Sequence, residues 1–238
     1  MKEKTLLLSL GGSLIIPNGG VDTEFLSQFN QFIRKWVDQG WRFVIVAGGG
    51  SVARHYRDAG REIIQKELTA DDLDWLGIHA TRLNAHLIRT IFREIAHPYI
   101  VKHYEIIIKT EKPILVAGGW KPGWSTDYCA TVLAEDYNIS ELINMSNIDY
   151  VYSADPKVDK DAKPLKEISW TDYRAMVGEE WIPGMNAPFD PIASQKSQEL
   201  DLTVKIVNGK NLENLEKCLA GEEFIGTTIA NGNKTTYP

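Results

Sequence analysis

A chain of 238 residues with 43% hydrophobic and 24% charged residues is long enough and balanced enough for one large α/β domain with its own core. A net charge of −6 excludes a general nucleic-acid surface, and no apolar run approaches the roughly 20 residues of a membrane span. The two cysteines, Cys129 and Cys218, exclude a disulfide framework and fit a reducing, cytoplasmic setting, and Met1-Lys2-Glu3-Lys4 opens no secretory pattern.

The first predicted strand covers Leu6-Leu7-Leu8 and runs into Gly11-Gly12-Ser13. Its lack of polar alternation implies burial on both faces. After a loop at Pro17-Asn18-Gly19-Gly20, Asp22 caps a helix whose stripe Phe25, Phe29, Phe32 and Trp36 faces a core and which Gly40 closes. A second strand, Phe43 to Ala47, ends in Gly48-Gly49-Gly50 and feeds a helix from Ser51 that carries Arg54, Arg57 and Arg61. Thr69 to Asp72 reads as the start of a long helix with an apolar stripe at Leu73, Leu76, Ala80, Leu83, Leu87, Ile91 and Ile95, ended by His97-Pro98. Ile106-Ile107-Ile108 fits either a strand or a helix fragment. A third strand at Ile114 to Ala117 ends in Gly118-Gly119, and Ser125 or Thr126 caps a helix to about Tyr137. Strand Leu142–Met145, a long polar loop over Tyr150–Lys166, helices Trp170–Val177, Asp190-Pro191 onward and Leu212–Leu219, strand Thr203–Val207 and an edge strand Gly226–Ile229 complete the reading. The polar tail 230–238 reads as frayed. Alternating strands and helices predict a three-layer αβα sandwich around a central, mostly parallel sheet, within a single domain over 1–238.

Three apolar strands that each end in adjacent glycines suit a phosphate or nucleotide site, with tight turns that hold no ligand as the plainer alternative. Backbone N–H groups at the carboxyl edge of a parallel sheet, ahead of helix N-termini, suit phosphate oxygens. Neither Gly-x-Gly-x-x-Gly with a ribose acid nor Gly-x4-Gly-Lys-Ser/Thr is present. Arg54, one turn beyond Gly50, is placed to fork onto a phosphate, with a solvated helix face as the plainer alternative. Asp127 is either a buried acid that orients phosphate-binding groups or a partner of the helix dipole. The five histidines show no ligand spacing, so no protein metal site is expected.

Four segments resemble the amino acid kinase superfamily, and within it the archaeal-type uridylate (UMP) kinases: Gly48 to Arg54, Asp74 to Ala85, Gly118 to Asp127, and Ser146 to Lys157. The resemblance runs over roughly residues 5–229. It implies transfer of a phosphoryl group from ATP to UMP, with Mg²⁺ carried by ATP and none held by protein side chains. It places Ser9, Leu10, Gly11, Gly12 and Ser13 at the ATP phosphates, and Ser146, Tyr152 and Asp155 at adenine and its ribose. Gly50 and Arg54 would stand where the two phosphate groups meet. Gly49 would face the UMP phosphate and Asp74 its ribose. Trp120, Lys121, Pro122, Gly123, Trp124, Ser125 and Thr126 would wrap uracil and the UMP phosphate, and Asp127 would organise the centre. Residues to about 135 would carry the UMP site and the ATP phosphates, and 136–229 the ATP base and ribose. Relatives imply a hexamer built as a trimer of dimers.

Two positions depart from the pattern. Many superfamily members have a lysine where Ser9 stands, and close relatives often have a lysine after Asp190-Pro191 where Gln195 falls, with Lys196 one residue on. Transition-state charge would then rest on Arg54, Mg²⁺, backbone N–H groups, and Lys196 or Lys121. Other small-phosphate kinases of the fold remain an alternative, although the isopentenyl phosphate kinases place a histidine at the position of Arg54. A non-catalytic oxoanion or nucleotide-binding protein, similar to the molybdenum storage proteins, is another.

Overall fold

Two apolar cores, one on each side of a seven-stranded sheet, account for the unbroken apolar strands. In β1 (Lys4–Leu10), Leu6, Leu8 and Leu10 enter one core and Leu7 enters the other. The same period-two split recurs in β2 (Trp41–Ala47), where Phe43, Ile45 and Ala47 oppose Val44 and Val46. The structure, a computed structural model, describes residues 4–18, 20–180 and 187–232.

The elements follow in chain order. After β1 come α1 (Gly12–Ile15), α2 (Thr23–Val37), β2 and α3 (Gly50–Ile64). A single 3₁₀ turn leads to α4 (Ala70–Ile91), β3 (Ile114–Ala117), α5 (Thr126–Asp136) and β4 (Glu141–Ser146). Then come β5 (Val151–Tyr152), β6 (Pro164–Leu165), β7 (Glu167–Ser169), α6 (Trp170–Val177), α7 (Pro191–Glu199), β8 (Thr203–Asn208), α8 (Leu212–Ala220) and β9 (Thr227–Ala230). The sheet order is β3-β2-β1-β4-β8-β9-β7, parallel except where β8 meets β9. Helices α2, α4 and α8 supply one core, and α5, α6 and α7 the other.

The helix starts follow their side chains. Asp22 accepts from Phe25 N–H at 3.0 Å. Thr69 and Asp72 form a reciprocal capping box, Asp72 N–H to Thr69 Oγ1 at 3.1 Å and Thr69 N–H to Asp72 Oδ2 at 3.0 Å. Ser125 caps α5 and Asp190 caps α7, with Pro191 in its first turn.

Five expectations change. The buried face of α4 is Asp74, Gly77, Ile78, Thr81, Asn84, Ala85 and Ile88, with Ala80, while Leu83 is 62% exposed. The apolar stripe falls about one position out of phase with the buried face because Asp74, Thr81 and Asn84 take three of its eight positions. That helix also ends at Ile91, before His97-Pro98. Strand β9 lies between β8 and β7 and is not an edge; the three-residue β7, carrying no apolar run, takes the edge. The polar loop holds the small antiparallel pair β5–β6. Ile106 and Ile107 sit in irregular, exposed backbone, neither strand nor helix. Of the tail, Ala230 ends β9, and 233–238 lie outside the described residues. None of the helices among the described residues is long and apolar enough to cross a membrane.

Candidate active site

The carboxyl ends of β1 and β2 bring two glycine turns into backbone contact. A Cβ on Gly12 would collide with Gly50 N, and one on Gly50 with Gly12 O. Gly50 also holds φ +64°, a conformation that favours glycine. Gly11 N–H is spent on Met145 O and Gly48 N–H on Leu10 O, both at 2.9 Å. The open donors are therefore Gly12 and Ser13 at the start of α1, and Gly49 and Gly50 at the start of α3, where helical N–H groups have no intrahelical partner.

A cleft of about 500 Å³ opens over these turns. Its lining includes Ser9, Gly11, Gly12, Ser13, Gly49, Gly50, Arg54, Asp74, Trp124, Ser125, Thr126, Asp127 and Ser146 from the sequence expectation. It also includes Ala53, Arg57, Thr81, Asn144, Pro188 and Asp190, which sequence reasoning left out. Leu10 is fully buried in the core and reaches this region only through its carbonyl. Lys196 lies outside the lining, its Nζ 2.6 Å from Glu135 Oε2 on α5. Tyr152 and the exposed Asp155 lie beyond β4, also outside the lining, and Asp155 accepts from Lys157 N–H at 2.9 Å.

Helix α4 holds the walls together. Asn84 Nδ2 donates to Gly48 O at 2.8 Å and Gly49 O at 3.2 Å. Thr81 Oγ1 accepts from Gly119 N–H at 2.7 Å, and Arg82 donates to Gly119 O at 2.9 Å and Trp120 O at 2.7 Å. Asp74 Oδ2 accepts from Gly123 N–H at 2.8 Å. One face of one helix thus fixes the second glycine turn, the third glycine turn and the Trp120–Trp124 loop. Side chains of these types at 74, 81 and 84 share that face because they fall at helical spacing, a pattern visible in the sequence once polar residues are allowed to define it.

The loop carries an aromatic cluster. Trp120 stacks on Tyr104 at 5.7 Å, Trp124 meets Trp120 edge-on at 4.7 Å and Tyr128 at 4.6 Å, and Lys121 Nζ sits 4.1 Å from the Trp120 centroid. Tyr104 OH donates to Gly118 O at 2.8 Å. The two tryptophans pack within the chain on the second core, with Trp124 also reaching the cleft. Of the loop residues, Trp120, Lys121, Pro122 and Gly123 stay outside the lining.

The floor is acidic. Asp127 accepts from Asp190 N–H at 3.2 Å and lies 3.5 Å from the donating Ser9 hydroxyl. Burial first, and the Asp190 carboxylate second, push the Asp127 carboxyl up to about 7. Asp190, 5% exposed, is also raised, chiefly by burial, against the N–H it accepts from Ala193 at 2.6 Å. Asp74 is raised mainly by burial, and Arg57 is lowered mainly by burial while Asp74 opposes that shift. Among the described residues no three His, Cys, Asp or Glu side chains cluster in a way that could hold a metal. Among the described residues the cleft's cations are Arg54 and Arg57, with no lysine in the lining. Such a site can take oxyanions on two adjacent backbone cradles, with the neighbouring acids Asp127 and Asp190 beneath them.

The sequence profile of the amino acid kinase family matches residues 4–208. A uridylate kinase of Methanocorpusculum labreanum is 32% identical over 95% of this chain and 95% of its own length. One from Hyperthermus butylicus is 31% identical over 94% and 97%. The crystal structure of uridylate kinase from Archaeoglobus fulgidus superposes with a TM-score of 0.79 at 31% identity, covering 95% of this chain and all of that one. The UMP kinase from Bacillus anthracis, at 19% identity and a TM-score of 0.76, shares the fold. With its doubly covered parallel sheet and paired glycine turns, the chain belongs to the amino acid kinase family, alongside the uridylate kinases.

Proposed function

We propose that the chain is a UMP kinase that moves the γ-phosphoryl group of MgATP to UMP, giving UDP and ADP for pyrimidine nucleotide synthesis. The carrying observation is the contact of Gly12 with Gly50, which gives two phosphate cradles a common wall. In this reading Gly12 and Ser13 take the ATP phosphates, with Gly11 shaping the turn. Gly49 and the start of α3 take the UMP phosphate, and Gly50 and Arg54 lie where the two meet. Asp74 accepts from the UMP ribose while tethering Gly123, and Trp124, Ser125 and Thr126 border the acceptor. Ser146, Tyr152 and Asp155 serve adenine and its ribose from the carboxyl-terminal half.

The chemistry asks little covalent work of the protein. An oxygen of the UMP phosphate dianion attacks the γ-phosphorus, and the bond to the ADP oxygen breaks. The nucleophile carries no proton to remove near neutral pH, so Asp127 is not needed as a base. It positions Ser9 and the start of α7 instead. The metal travels on ATP as part of the substrate. Charge on the transferring group falls to Arg54, the helix N-termini and that metal. Lys196, bound to Glu135, takes no part in the reading. Assembly as a hexamer in the cytoplasm belongs to the same proposal; the strongly exposed Tyr56 and Ile63 on α3, at 62% and 79%, favour a subunit contact there.

The absence of a lysine from the lining among the described residues favours a second reading, a binder that holds nucleotide without turnover. ADP release measured across the nucleoside monophosphates separates the two. The kinase releases ADP with UMP, far less with CMP, and none without Mg²⁺; absence of turnover with every acceptor supports the binder.

A further inference from the structure

Arg57 looks, in sequence, like one of three arginines on a solvated helix face. It lies four residues after the buried Ala53, on the side of α3 that faces α4 and two turns beyond Gly50. It is half-buried and lines the cleft. Gly77 makes this possible: a Cβ there would run into the guanidinium, so the group rests on the bare backbone of α4. Gly77 O in turn lies 3.6 Å from where a Gly49 Cβ would stand, which places the guanidinium next to the second glycine turn.

Its hydrogen bonding is one-sided. Nε donates to Leu73 O at 3.0 Å, which fixes the plane of the group. Neither Nη has a hydrogen-bond partner among the described residues, and Asp74 attracts the group through space while its Oδ2 is used by Gly123. Arg54 is different: it is exposed, and its Nη2 is held by Pro17 O at 3.2 Å on the rim. A half-buried guanidinium with an anchored Nε and an open Nη fork is built to take two oxygens of an oxyanion.

We propose that Arg57 binds the phosphate of the acceptor nucleotide, as a second cation beside the α3 N-terminus, and that it sets the preference for a phosphorylated nucleoside over the bare one. This rests on the reading of the cleft as a UMP kinase site. The fork contributes affinity for the phosphate and nothing to uracil.

Calorimetric titration of the full chain with UMP, uridine and ATP tests the assignment in wild type, Arg57→Leu and Arg57→Lys. Arg57→Leu is expected to weaken UMP about 10- to 100-fold, the loss of a charged hydrogen-bonding pair, with uridine and ATP unchanged. Arg57→Lys, which keeps the charge without the fork, recovers part of the loss and serves if the leucine variant does not fold. UMP affinity within about twofold of wild type in both variants, or equal weakening of UMP and uridine, overturns the assignment while leaving the reading of the cleft intact. A wild-type chain that does not bind UMP overturns both.

Discussion

At the residue scale, the positive charge of the cleft stands on Arg54 and Arg57 among the described residues. Ser9 brings a hydroxyl where many relatives carry a cation, and it donates toward Asp127. Lys196 is committed to Glu135. Two arginines remain, and only the one flagged by its position after the glycine turn was readable from sequence; Arg57 could not be, because its burial depends on Gly77 of another helix. Asp190 was readable as a helix cap but not as the neighbour that raises Asp127. That pairing has a consequence for stability. The folded-state carboxyl of Asp127 titrates at about 7, above its unfolded value. Its contribution to stability is therefore complete below the ordinary carboxylate range and is lost as pH rises through about 7. Asp127→Asn, which cannot ionise, is expected to raise Tm relative to the unliganded wild type at about pH 8, with a smaller effect at about pH 5. Thermal melts at the two pH values check it; an equal shift at both contradicts the raised carboxyl.

At the element scale, α4 does more than cover the sheet. Its start was plain from Thr69 and Asp72, since a capping box is a local signal. An apolar period does not find its buried face, because Asp74, Thr81 and Asn84 are buried there to satisfy backbone groups of the glycine turns and the Trp120–Trp124 loop. Asn84 is 1% exposed and serves two carbonyls, at Gly48 and Gly49. Asn84→Leu keeps the volume and leaves both carbonyls without this donor. It should cost about 1–3 kcal/mol, the penalty for a buried polar group left unpaired, which is a drop in Tm of roughly 2–10 °C for a chain of this size. Chemical denaturation with an unchanged m-value checks it, and a loss below about 0.5 kcal/mol would show that the turn holds its shape without α4.

At the scale of the whole molecule, the αβα layering was readable because strands buried on both faces are mostly apolar, and helices alternate with them in order. The far edge was not. The three residues of β7 and the antiparallel entry of β9 are decided by pairing across the sheet, which no local pattern records. The sheet brings residues from both halves of the chain, from Ser9 to Asp190, around one cleft. In the proposed reaction two phosphates meet over Gly12 and Gly50, and one passes its terminal group to the other. The most direct measurement is to supply ATP labelled at its γ-phosphorus together with UMP and Mg²⁺, and to follow the label. The label is expected in the β-phosphate of UDP in step with ADP formation; label that stays in ATP, or passes only to inorganic phosphate, would rule the transfer out.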